Sequence, residues 1–206
     1  MARRRVPAAP IPDQSVDADR ALAFVNTLSG RPTPAPAERL VSYTALVEWA
    51  QAQRLLSSAA ADRLEGLARK HPHQAALVLG RARDLREALH GVLAAVEADR
   101  PPPAEALETL GRSLAAAYAH GRLVPHEGRL QWTYEGADEL DRVVWEIAHA
   151  TGRLVLSPRL ARVRACAAGD CGWWFLDDTK NRSRRWCDMK ICGNREKLRR
   201  FRSKGA

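Results

Sequence analysis

The sequence predicts a mainly α body with one small β-hairpin, followed by a treble-clef-like finger at the C-terminal end. Three observations predict it. Apolar residues recur at helical spacing over most of the first 158 positions. The period changes over residues 122–136, where apolar and polar residues alternate around Glu127-Gly128. All four cysteines, Cys166, Cys171, Cys187 and Cys192, fall within 27 residues near the end of the 206-residue chain.

The elements follow in order. Residues 1–15, three arginines and then alternating Pro and Ala, read as a disordered tail. Asp19 to Leu28 places Leu22, Val25 and Leu28, with Phe24, on one helical face. A Pro-rich loop covers 29–38. Ser42 is an N-cap candidate for a helix in which Leu46, Trp49 and Ala50 share a face. Another helix covers about 59–70. A long one covers about 73–98, with Leu77, Leu85, Leu89, Val92 and Val96 marking the side to be buried. Arg100 and the prolines 101–103 stop it, and Pro103 suits the start of a helix over about 104–118. The alternating stretch turns at Glu127-Gly128, although Pro125 weakens its first arm. A last body helix over about 137–151 turns Leu140, Val143, Val144, Ile147 and Ala148 inward. The organisation is a tail (1–15), a helical domain (16–158) and a finger (159–206).

Charge is partitioned along the chain. Residues 159–206 hold 14 Lys and Arg against 5 acids, while residues 1–158 hold 19 of each, so the whole net charge of +9 belongs to the last 48 residues. A neutral body with a basic end points to a polyanionic partner. No apolar run approaches the ~18 residues of a membrane span. The N-terminus, MARRRVPAAPIPDQ, has no apolar segment of the secretory type behind its arginines, so a cytoplasmic protein is expected. The six histidines are scattered, and no Gly-rich phosphate loop or nucleophile–base arrangement stands out, so no enzyme activity is expected.

The cysteines are spaced C-x4-C, fifteen residues, C-x4-C. Tetrahedral zinc takes four thiolates at about 2.3 Å, and two close pairs separated by a hairpin-length insert deliver that geometry. In the insert, GWWFLDD reads as a strand, residues 179–183 as a turn and Arg184-Arg185-Trp186 as the return strand; Cys192 then opens a helix through GNREKLRRFRSK. So small a unit buries too little surface to fold alone, and zinc supplies its folding energy, about 10–16 kcal/mol in finger peptides. Four thiolates leave no open position for a catalytic water, so the metal is structural. Two disulfides or an iron–sulfur cluster use the same four thiols, and spacing alone does not separate zinc from iron–sulfur.

These residues resemble the CGNR zinc finger family. The resemblance rests on Cys166 and Cys171, on Trp174-Phe175-Leu176-Asp177, on Arg184-Arg185-Trp186-Cys187 and on Cys192-Gly193-Asn194-Arg195. Upstream, Phe24-Val25-Asn26-Thr27-Leu28, and Tyr43 to Trp49 with Leu55-Leu56, look like the ABATE domain that precedes the finger in that family. Asp177-Asp178-Thr179 departs mildly from the family, in which a Ser is usual after the strand's Asp and one further residue. The resemblance implies a stress-induced transcription regulator that binds DNA.

On that reading Arg195, Arg199 and Arg202 line one side of the last helix, with Lys197 and Arg200 toward another, and Arg184, Arg185 and Lys190 contact the phosphate backbone. Arg195 is also placed to brace the finger on Asp177 or Asp188. Trp173, Trp174 and Trp186 are expected to form the finger's miniature core. Phe24, Asn26 and Thr27 either belong to the core or line a small-molecule pocket. The partner expected is double-stranded DNA. A lone module buries only about 600–1,000 Å² on DNA, so a homodimer is expected, with the body dimerising or sensing an effector. The alternative is an RNA-binding or protein-interaction module built on the same finger.

Overall fold

The computed structural model describes residues 14–134 and 139–204. The expected tail lies outside these residues, except that positions 14 and 15 already belong to the first helix. Seven α-helices are described: α1 Gln14–Val25, α2 Tyr43–Ala52, α3 Ser58–Lys70, α4 Pro72–Glu97, α5 Ala104–His120, α6 Arg142–Val155 and α7 Asn194–Lys204. Three two-stranded antiparallel ladders join them: β1 Leu28–Ser29 with β2 Ala37–Glu38, β3 Arg122–His126 with β4 Arg129–Thr133, and β5 Val163–Ala165 with β6 Trp174–Leu176.

Local chemistry sets the helix ends. The Ser42 hydroxyl accepts from the Ala45 amide (3.0 Å), and the Ser57 hydroxyl accepts from Ala60 (3.3 Å). Pro72 opens α4, where its missing N–H costs nothing. In the core Phe24 and Val25 of α1 meet Leu85, Leu89 and Leu93 of α4 and Ile147 and Leu154 of α6. Helix α6 packs between α1 and α5, and α4 packs on α5. Gly152 permits the close α5–α6 approach, since a Cβ there would lie 2.4 Å from Leu114 Cδ2.

Several boundaries differ from expectation. Helix α1 begins five residues before Asp19, with Asp17 in its first turn favouring the positive helix end, and it ends at Val25. Asn26 and Thr27 therefore lie in the turn that follows, not inside a helix. The Pro-rich loop folds back as β1–β2. Arg86, buried in α4, straps it down with two bonds to the Glu38 carboxylate (2.7 and 2.6 Å). The hydrogen bond to Arg86 and the bond from the Leu40 amide outweigh burial and hold the Glu38 carboxyl below its ordinary range. On α4 the buried stripe runs through Val78, Ala82, Leu85 and Leu89, leaving Leu77 half exposed and Val96 partly buried. Helix α6 starts at Arg142 rather than near 137 and runs on to Val155; of the expected first turn, 137 and 138 lie outside the described residues. Leu140, Val143, Val144, Ile147 and Ala148 are all buried, as their spacing predicts.

Candidate metal centre and nucleic-acid interface

The strand before the first cysteine, not the segment after the turn, pairs with the aromatic strand. Val163 faces Leu176, Arg164 faces Phe175 and Ala165 faces Trp174. The expected return strand 184–186 is held instead by other bonds. The Asp177 carboxylate, fully buried, accepts from the Thr179 hydroxyl (2.5 Å), the Thr179 amide (2.9 Å) and the Arg184 amide (2.9 Å). Those bonds, led by the Thr179 hydroxyl, hold its carboxyl below the usual range. The Ala167 amide then donates to Arg185 O (2.8 Å).

Alternation along β6 divides its side chains between two cores. Trp174 and Leu176 join the main core, while Phe175 packs with Cys166, Ala168 and Cys192, with Trp173 and Trp186 beside them. Trp174 thus belongs to the body, correcting its expected place in the finger's core. The Asn26 side chain clamps the Trp174 backbone at both groups, donating Nδ2–H to Trp174 O and accepting from Trp174 N, each at 2.8 Å. The Trp174 indole donates to His90 Nδ1 (2.9 Å). The Gly30 amide donates to Cys171 O (2.9 Å), and Gly172 (φ +68°) lies against Arg31 and Pro32, where a Cβ would clash at 2.8 Å. The metal-site knuckle is thereby seated on the helical body.

His90 makes the seam sensitive to pH. Burial first, and then the Arg31 charge, hold its pKa below the ordinary 6.5. Nδ1 must stay unprotonated to accept from Trp174, so the folded state resists a proton that the unfolded chain takes up. Stability from this group is full above about pH 6.5 and falls as pH drops below it. His149 is shifted the same way, by burial and then Arg153. A thermal midpoint followed from pH 7.5 to 5.5 is expected to fall, and less steeply in His90→Gln, whose amide oxygen can accept at any pH.

The four sulfurs lie within 4.8 Å of one another, with Cys171–Cys187 and Cys187–Cys192 at 3.6 Å. Zinc–sulfur bonds of 2.3 Å give a tetrahedral edge of about 3.8 Å, so the tetrad fits one tetrahedral ion. All four cysteines are free, at distances far from the roughly 2.05 Å of a disulfide. Burial pushes the Cys171 thiol up to about 12 and the Cys187 thiol higher still, while hydrogen bonds from the Ala168 and Cys187 amides outweigh burial and hold Cys166 below its ordinary range. Backbone and guanidinium donors face the sulfurs: the Cys187 amide on Cys166 Sγ (3.4 Å) and Arg195 on Cys192 Sγ (3.5 Å).

The second ligand pair is fixed by Asp188. Its carboxylate accepts from the Ile191 amide (2.8 Å), and its carbonyl accepts from Cys192 and Gly193, forming a widened turn over Met189–Gly193 that leads into α7. A knuckle hairpin followed by a ligand-bearing helix makes the unit treble-clef-like.

The ABATE family profile, described as "Putative stress-induced transcription regulator", matches residues 18–186. The chain belongs to that family. No curated relative matches it. The ABATE match runs through β5, the knuckle and β6 and stops one residue before Cys187, so it spans the expected boundary at 158/159.

Within this ABATE chain the expected nucleic-acid residues separate into two sets. Arg195 and Arg199 grip Asp170, the only acid between the first two cysteines, at 2.7 and 2.6 Å. Arg195 therefore braces the finger on Asp170, not on Asp177 or Asp188. Arg199 also pairs with Glu196 (2.7 Å). Arg184 curls inward, its guanidinium 4.7 Å from the Phe175 ring and bonded to Trp186 O and Cys187 O. Lys190, Lys197, Arg200 and Arg202 are exposed and have no acidic partner among the described residues, and Arg185 lies exposed over Trp186. At 100° per residue, Lys197 and Arg200 point away from the Asp170 side, while Arg202 shares the side of Arg195. Sequence reasoning missed Asp170, Asn26's clamp and His90. Asp170's isolation inside the knuckle was the one available signal.

Phe24 and Thr27 are buried, and the Thr27 hydroxyl donates to Phe24 O (2.7 Å) and accepts from Arg86 (3.2 Å). With both ends of the Asn26 amide on Trp174, the three residues lie at the seam between body and finger.

No helix among the described residues is long and apolar enough to cross a membrane.

Proposed function

We propose that this chain is a zinc-dependent, cytoplasmic DNA-binding transcriptional regulator. Its finger contacts duplex DNA through the outward side of α7, and its helical body senses an effector or pairs with a second copy. One observation carries the reading: four convergent thiols precede a helix whose Lys197 and Arg200 face outward without acidic partners among the described residues. The family description supports the regulatory part. Metal binding would set the angle of α7, and a helix so held fits the major groove. The Asp170 clamp acts one step earlier, ordering α7 so that its free cations share a surface. The tetrad of thiolates supports a structural ion rather than a catalytic one, and so a binding protein rather than an enzyme.

The test is a binding titration of the zinc-loaded protein against random duplex, single-stranded DNA and RNA at two salt concentrations, repeated after chelation. Tight, zinc-dependent duplex binding with a steep salt dependence is expected. Lys197→Ala and Arg200→Ala should each weaken it and flatten the log–log salt slope by about one unit per lost phosphate contact. Asp170→Asn should weaken it through loss of finger order, with little change in slope. Binding indifferent to chelation would sink the proposal. A second reading rests on Phe201, 80% exposed beside Arg200 and Arg202. Bases stack on such a ring, so a preference for single strands that Phe201→Ala removes would favour it.

A further inference from the structure

A cleft of about 610 Å³ opens on the side of the body bounded by α1, the α2–α3 connection, the β3–β4 hairpin and α6. Its size suits a small ligand. Five arginines line it against three carboxylates. The Asp17 carboxylate is already taken by Arg153 (2.6 Å) and Arg20 (3.3 Å), and Arg20 also donates to Gln53 O and Arg54 O.

Arg142, the first residue of α6, is the unusual member. It is only 4% exposed, lines the cleft, and has no carboxylate within 4 Å among the described residues. Its Nε is buried without any hydrogen-bond partner. A buried guanidinium is ordinarily paired, because an unpaired buried charge is strongly unfavourable. Arg142 also sits in the first turn of a 14-residue helix, where the backbone dipole adds positive potential. Exposed Arg54 and Arg129 stand at the cleft without acidic partners among the described residues. Among these polar groups the cleft also offers apolar surface, from Leu55, Leu130 and the Trp132 ring, which lies 6.1 Å from the His149 ring.

We propose that this cleft binds a small organic anion, a carboxylate or phosphate ester with an apolar or aromatic part, and that Arg142 is its anchoring cation. The anion supplies the acceptor that the fold withholds from Arg142, Arg54 closes over it from the rim, and the apolar part packs on Trp132 and Leu55. This deepens the reading of the body as an effector-sensing domain, yet it makes no use of DNA binding, so the two stand or fall separately.

The experiment is calorimetric titration of full-length, zinc-loaded protein, without nucleic acid and at low salt. The probes are phenyl phosphate and benzoate, with inorganic phosphate and phenol as controls. One organic anion is expected to saturate a single site with Kd below about 1 mM. Inorganic phosphate should bind at least about tenfold more weakly and phenol not measurably, because each offers only half of the recognition. Arg142→Met should abolish saturation while leaving the unliganded thermal midpoint unchanged or higher, since it removes an unpaired buried charge at similar volume. Should Arg142→Met fold poorly, the exposed variant Arg54→Gln keeps the test open, with an expected loss of about three- to tenfold in affinity. The proposal is overturned if neither organic anion saturates by 10 mM, if Arg54→Gln binds as the wild type does, or if inorganic phosphate matches phenyl phosphate. It is equally overturned if Arg142→Met lowers the midpoint without changing anion binding, which would make Arg142 a purely structural residue.

Discussion

Cys187→Ser is expected to abolish duplex binding while leaving the helical body folded. Cys187 sits at the centre of the sulfur cluster, 3.6 Å from both Cys171 and Cys192, so its loss opens the tetrahedron toward both ligand pairs. Zinc binding supplies most of the folding energy of such units, about 10–16 kcal/mol in finger peptides, and three ligands retain only part of it. Helix α7, whose few apolar residues Leu198 and Phe201 are exposed, has no core to hold it once the metal site is gone. Far-UV circular dichroism should therefore lose about a tenth of its helical signal, the share of α7's 11 residues among the described α-helices. The main melting transition should persist, because Trp174 and Leu176 belong to the body's core. Chelation of the wild type should reproduce the result reversibly. Duplex binding that survives Cys187→Ser would remove the finger from the DNA interface. A body that unfolds along with the finger would mean that the metal site holds up the whole chain.

What the sequence made legible, and what it did not, follows from the range of the forces involved. Helix caps are local: Ser42, Pro72 and the prolines at 101–103 act within a turn of their own position, and the elements they bound appear where expected. The cysteine tetrad is legible because ligand chemistry demands four thiols together, whatever lies between them. Strand pairing is set by distant partners. Residues 163–165, Val-Arg-Ala, alternate where 184–186, Arg-Arg-Trp, do not; Asp177 takes the Arg184 amide and Arg185 O is engaged by Ala167, which leaves β6 to pair upstream. The division of Trp173-Trp174-Phe175-Leu176 between two cores was present as a period of two, but nothing local says that both faces of β6 are covered. Counting basic residues marked the segment proposed as the interface without showing which cations Asp170 holds. Arg142 offered no sequence signal at all, because what marks it is the absence of a partner in space.

Asn26→Leu is expected to be the most damaging single change outside the metal site. Leucine keeps asparagine's forked side-chain skeleton with bulkier methyl ends, so the seam stays filled, but the Trp174 amide and carbonyl both lose their partner in a buried place. Each unsatisfied group costs about 1–3 kcal/mol. For a chain of this length about 1 kcal/mol moves the thermal midpoint by roughly 2–4 °C, so a fall of roughly 5–15 °C is expected. Asn26→Asp separates the two bonds. Its carboxylate still accepts from the Trp174 amide but faces the Trp174 carbonyl with no proton to donate, so at neutral pH it should be at least as unstable as Asn26→Leu. Burial raises the pKa of such a carboxyl in the folded state, and the destabilisation should fade as pH falls through that value, because the protonated acid can donate to Trp174 O. Wild type and Asn26→Leu lack that recovery and instead lose stability as His90 is driven to protonate. Because β6 follows Cys171 by three residues, a loosened Trp174 also misplaces the first ligand pair, and zinc affinity should fall by about tenfold or more, as for the loss of other groups that orient metal ligands. A normal melting midpoint in Asn26→Leu would show that the clamp is incidental. A lowered midpoint with unchanged zinc affinity would show that the body and the metal site fold independently despite the hydrogen bonds that join them.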